Sequence, residues 1–144
     1  MADNEISPSG DLVFKPCSRA FFVYYVAMAL VFLGPRLNPE VGLPVWLGTI
    51  LGLIIVAAVV YQKYGMEYRV TAQGVARVWR WPSPRRQEIA WEHLGEVLVL
   101  RGLTQTVLQV GNLALPDKSG GPEMFWHGLA NPKDVKDLID GKRP

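Results

Sequence analysis

From Val41 to Tyr61 the chain carries no charged side chain: VGLPVWLGTILGLIIVAAVVY. A helix needs about 20 apolar residues to cross the ~30 Å hydrocarbon core of a bilayer. A helix on a soluble core would show a polar face every third or fourth residue, and this run shows none. The sequence therefore predicts a membrane span here. What remains of the 144 residues allows little beyond a second span and one small domain.

The stretch AFFVYYVAMALVFL, residues 20–33, is also uncharged. Extended back to Pro16 and forward to Pro35 it is long enough for a second span, with Arg19 snorkelling to the interface. Tyr24 and Tyr25 sit poorly for an interfacial belt and are expected to face a partner helix. A cleaved signal peptide would want a basic start and small residues after the apolar run. Here the start holds Asp3, Glu5 and Asp11, and Ala27 and Ala29 lie inside the run. Residues 34–44 contain Gly34, Pro35, Pro39, Gly42 and Pro44, helix breakers that suit a short link between antiparallel spans. Gly48 and Gly52 form a GxxxG pair suited to close helix packing, although Gly is also frequent in spans for other reasons. The three expected parts are a polar, mobile tail (1–18), a transmembrane hairpin (19–62) and a soluble domain (63–144).

Lys15, Arg19, Lys63 and Arg69 flank the pair of spans, whereas the link carries only Arg36 and Glu40. Positive charge favours the cytoplasmic side, so both termini are expected there, in the inner membrane. The formal net charge of +2 is too small to imply nucleic acid as a partner. Cys17 is the only cysteine, which excludes an internal disulfide and a thiolate metal cluster. Its place beside the membrane admits acylation.

Beyond Lys63 the pattern changes. Met66–Val70 alternates as a half-buried strand does, and Thr71–Gly74 reads as a turn. Val75–Trp81 and Arg86–Trp91 read as strands separated by Pro82-Ser83-Pro84, with Ile89 and Trp91 on one face. Glu96–Arg101 and Thr106–Leu115 follow, split by Gly102. Residues 116–122 form a loop and Glu123–Leu129 a last strand. Asn131 is then a good N-cap, with Pro132 at the first helical position. Val135, Leu138 and Ile139 make one apolar stripe, and Gly141 stops the helix. Six or seven short antiparallel strands and one amphipathic helix suggest an α+β arrangement, a small barrel or bent sandwich plugged by the helix.

This order resembles the bacterial pleckstrin-homology-like membrane proteins. Lys15-Pro16 with Ser18 precedes the first span. YRVTAQGV (Tyr68–Val75) follows the second. RRQEIAWEHLGEV (Arg85–Val97) is similar to a family strand with its apolar ending, and Gly128-Leu129-Ala130-Asn131-Pro132 to the closing motif. Two features depart: Arg101-Gly102-Leu103-Thr104 keeps one Gly of a Gly-x-Gly turn, and the PDKSGGP loop is long. The resemblance implies a pleckstrin-homology-like domain. It also implies a role like that of its relatives, which are mostly accessory or assembly factors of membrane complexes.

The segment Trp79-Arg80-Trp81-Pro82-Ser83-Pro84-Arg85-Arg86 concentrates Trp and Arg. Trp suits a headgroup interface, and Arg is drawn to anionic lipid by about 1 kcal/mol per charge. Both are also enriched at binding hot spots. Trp79, Arg80, Trp81, Arg85 and Arg86 are thus candidates for lipid or partner contact, against the plainer reading that a Trp fills the core and the arginines are solvated. His93 and His127 lack the spaced partners of a metal site, and no catalytic fingerprint is present. No metal, cofactor or catalytic residue is expected. The sequence reading is a non-enzymatic accessory or assembly subunit that docks on other membrane-protein subunits. The competing reading is a module that senses anionic membrane lipids.

Overall fold

The computed structural model describes residues 4–144. Strands β1 (Asn4–Ile6) and β2 (Leu12–Phe14) come first, then a 3-10 turn, Ser18–Phe21. Helices α1 (Phe22–Leu37) and α2 (Val45–Tyr64) form a hairpin joined by a second 3-10 turn, Pro39–Val41. The chain continues through β3 (Met66–Val70), β4 (Gly74–Trp79), β5 (Arg85–Ala90) and β6 (Leu98–Leu100). A short helix α3 (Leu103–Val107) precedes β7 (Val110–Leu115), β8 (Met124–Ala130) and the final helix α4 (Pro132–Lys142).

The segment expected to be a polar tail is folded from Asn4 on; Asp3 lies outside the described residues. Strand β2 pairs antiparallel with β3, placing Phe14 opposite Tyr68 and Leu12 opposite Val70. The helical hairpin is therefore an insertion between two neighbouring strands of one sheet. That sheet has five strands in the order β1-β2-β3-β4-β5, and a second has the order β6-β7-β8. Both are antiparallel. They share one core: Phe14, Tyr68, Val70, Val75 and Ile89 from the first, and Leu113, Leu115, Met124, Trp126 and Leu129 from the second. Trp126 stacks on Tyr68 with ring centroids 5.2 Å apart. Val135 and Ile139 of α4 join this core and Leu138 packs at its edge. The mixed α+β character and the stripe on the last helix thus agree with the sequence.

Helices α1 and α2 keep most of their apolar side chains exposed, among them Val23, Leu30, Leu33, Trp46, Leu53 and Ile54. Counting the 3-10 turn, each segment has 20 residues and the length and apolar composition of a membrane span. At 1.5 Å per residue each covers ~30 Å. Water-exposed apolar faces of this size are not what a soluble core helix presents.

Pro35 was expected to break the chain, yet α1 runs through it to Leu37. A proline inside a helix leaves the carbonyl four residues back without its amide partner. Here that carbonyl belongs to Val31, and α2 approaches it at Gly48. A Cβ on Gly48 would lie 2.6 Å from the Val31 oxygen and 3.1 Å from Pro35 Cγ. One on Gly52 would lie 2.5 Å from the Phe32 ring. The missing side chains are what let the two helices touch.

Two further local differences have clear causes. Thr106–Gln109 alternates like a strand but is helix and turn. Gln105 Oε1 accepts from the Gly102 N–H at 2.9 Å, and Thr106 Oγ1 donates to the Gly102 carbonyl at 2.9 Å. These side chains wrap the backbone into α3, and Gln109 then turns it through a left-handed φ of 55°. Asn131 occupies the cap position of α4, but with φ 48° rather than the extended backbone of a side-chain cap. Gly141 lies within the last turn of α4, which ends one residue later.

Replacing Gly48 by Val should force α1 and α2 apart and cost about 1–3 kcal/mol, read as a lower thermal midpoint in detergent. Gly34→Ala, where nothing lies within 4 Å of the added Cβ, should be neutral or stabilise α1 by up to about 1 kcal/mol.

Candidate functional site at the junction of hairpin and sheets

The antiparallel register of β3 and β4 places Met66 opposite Trp79, directly after α2 ends. The Arg80–Pro84 turn therefore sits beside the base of the hairpin. The Arg80 N–H donates to the Gly65 carbonyl at 2.8 Å. Trp81 is exposed and meets Tyr61 of α2 edge-on, centroids 6.3 Å apart. Its peptide bond to Pro82 is cis. Trp79 is half-buried, with the Arg77 guanidinium 4.3 Å above its ring. Neither Trp79 nor Trp81 belongs to the central core, where Trp126 takes that part.

The arginines of this segment do different things. Arg80 Nη2 lies 2.8 Å from Glu67 Oε1, and Arg69 Nη2 lies 3.1 Å from Glu67 Oε2. Alternation along β3 points Glu67 toward water, yet it is only 3% exposed. Two guanidinium groups cover it. Arg86 is held by Glu88 at 3.0 Å. Among the described residues Arg85 has no carboxylate partner. The structure thus brings Trp79, Arg80 and Trp81 to the hairpin base, with Arg85 across from Trp79. It also ties up two of the three positive charges.

Beside this tip lies a cavity of about 530 Å³ that the sequence did not announce. Phe21, Tyr24, Tyr61 and Gln62 come from the hairpin; Tyr68, Trp79, Asn112 and His127 come from the sheets; Gln105 comes from α3. Among the described residues, none that lines it is a carboxylate, lysine or arginine. Asn112 Oδ1 accepts from the Gly128 N–H at 3.0 Å, and Tyr68 Oη accepts from the His127 N–H at 2.9 Å. These bonds fix two of the polar walls. Gly128 has φ 70°, and a Cβ there would lie 3.1 Å from that of Ala20. The Cys17 N–H reaches the Gly128 carbonyl at 2.8 Å. The Lys63 ammonium reaches Ser18 Oγ at 2.5 Å, linking the two ends of the hairpin. Tyr24 packs on Phe21, lines this cavity and remains exposed.

Arg77 ties the two sheets together, donating to the Phe125 carbonyl at 3.0 Å and to Gln87 Oε1 at 3.1 Å. Burial pushes the Tyr68 phenol up, against the smaller effects of the His127 N–H and the Arg77 charge. Burial, then the Arg77 charge, lowers His127. His93 is a surface residue 3.5 Å from Glu92. Among the described residues, no three His, Cys, Asp or Glu gather where they could hold a metal. Asn112, the one amide in the otherwise apolar Val110–Leu115, was the available signal for the cavity. Gln62 and Gln105 gave none. Comparison with protein-family models, curated proteins and solved structures found no match.

Glu67→Gln should leave the Arg69 and Arg80 guanidinium groups without their carboxylate and lower stability by about 1–3 kcal/mol, measured by denaturation in detergent. Partial burial and the Arg77 charge disfavour protonation of His127 in the fold. Its contribution is complete above the ordinary value near 6.5 and is lost as pH falls below it, where the unfolded chain takes the proton first. His127→Gln should flatten the fall in thermal midpoint between pH 7 and pH 5.

Proposed function

We propose that this chain is a non-enzymatic accessory or assembly subunit of a larger bacterial membrane complex. Its hairpin spans the inner membrane, both termini lie on the cytoplasmic side, and a pleckstrin-homology-like domain covers a cytoplasmic face of the complex. The observation that carries this reading is the insertion of the hairpin between β2 and β3. Both helix ends return to one sheet, so the domain cannot swing on a linker. A fixed pose suits docking onto a neighbour more than searching for one. Exposed apolar surface on the domain supports it further. Leu98 and Leu100 stand out from the edge strand β6.

The resemblance to pleckstrin-homology-like membrane proteins rests on motif order, two antiparallel sheets and a closing helix. The competing reading, a sensor of anionic headgroups, is supported by Trp81 against Tyr61 and by Arg85, which has no carboxylate partner among the described residues. It is weakened by the pairing of Arg80 with Glu67 and of Arg86 with Glu88, since a guanidinium already paired has less to offer a phosphate.

Gentle extraction at native abundance, followed by size-exclusion chromatography and identification of bound chains, tests the proposal. The expected result is a complex with other membrane subunits that Leu98→Glu with Leu100→Glu releases. A lone monomer from the native membrane would sink the docking reading. The lipid reading predicts that anionic vesicles stabilise the full chain, that salt abolishes the effect, and that Arg85→Ala removes it.

A further inference from the structure

Helix α3 holds the two most exposed large apolar side chains of the domain, Leu103 at 91% and Val107 at 83%. They are four residues apart on a helix and share one face. No charged side chain occurs from Gly102 to Pro116. Gln105, on the opposite face of α3, lines the cavity whose far wall is Phe21, Tyr24, Tyr61 and Gln62. Those four residues mark the ends of the two spans that adjoin the domain. Helix α3 therefore stands beside the place where the hairpin leaves the apolar layer, with its polar side inward and its apolar side out.

We propose that α3 dips into the same bilayer, with Leu103 and Val107 making a third, non-spanning membrane contact. This rests on the reading that the hairpin crosses a membrane. The occupant follows from size and place. A stable protein interface removes ~800 Å² per partner from water, and two side chains on a five-residue helix cannot supply that. A bilayer asks only that apolar side chains reach the boundary between headgroups and acyl chains. Arg101, exposed just before the helix, stays where a cation meets headgroups.

The test uses the full chain with Cys17→Ser, reconstituted in phosphatidylcholine vesicles, some made with acyl-brominated lipid. An environment-sensitive fluorophore is placed on a single cysteine at Val107→Cys, at Ile54→Cys in mid-α2, or at Ser119→Cys in the loop at the far end of β7. Probes at 54 and 107 should be quenched by the brominated lipid, 107 with the depth of a site ~5–10 Å below the headgroup boundary. The probe at 119 should not be quenched. Quenching at 54 without quenching at 107 overturns the α3 contact and leaves the spanning hairpin standing. Quenching at 119 equal to that at 107 overturns it as well, because the domain would then lie differently. No quenching at 54 defeats the spanning reading, and the α3 contact with it.

Discussion

The pairing of β2 with β3 is the constraint on which the rest of the molecule depends. Those strands are separated in sequence by both long helices, and they meet with Phe14 opposite Tyr68, each fully buried. Such non-local pairing carries a large loop-closure cost. The cost is reduced here because α1 and α2 return on themselves and bring their ends together. The Ser18–Lys63 bond then joins those ends, and the Cys17–Gly128 bond holds one of them against β8. Hairpin and domain are thus joined at both helix ends.

That joining explains where charge sits at the junction. A carboxylate as buried as Glu67 is costly unless paired and hydrogen-bonded. Arg69 on its own strand and Arg80 just past β4 meet that need from two directions. Arg80 is thereby drawn back toward the sheet, and its backbone N–H is bound to Gly65 at the end of α2. A segment that looks in the sequence like a free basic patch is largely an internal brace. Among the described residues, the neighbouring cavity has walls without ionised groups, so it offers an anion only neutral donors.

Much of the architecture was legible because it rests on periodicity. The uncharged runs, the alternating strands and the stripe at Val135 and Ile139 each have a physical period that survives in the sequence. The failures share a different cause. Leu12–Phe14 is three residues long, too short for any period, and its partner lies beyond two helices. Helix α3 is set by the side-chain bonds of Gln105 and Thr106 to Gly102, which override an alternating pattern. Pro35 continues a helix because Gly48 on the other arm accommodates the exposed Val31 carbonyl. The cavity was hidden for the same reason: its walls come from α1, α2, α3, β3, β4, β7 and β8, and only the fold brings them together.

Magnitudes decide what the junction is for. Two spans of this length anchor a chain effectively irreversibly, and burying one Leu or Val side chain adds only ~1.5–3 kcal/mol. An interfacial arginine adds about 1 kcal/mol. If the hairpin spans a bilayer, Trp81, Arg85 and α3 are therefore too weak to decide whether the chain stays there. In a spanning hairpin they would bias how hairpin and domain tilt together, as one rigid unit. Experiments that ask only whether the chain is membrane-bound will not register these residues. Measurements of depth, orientation and partner contact will.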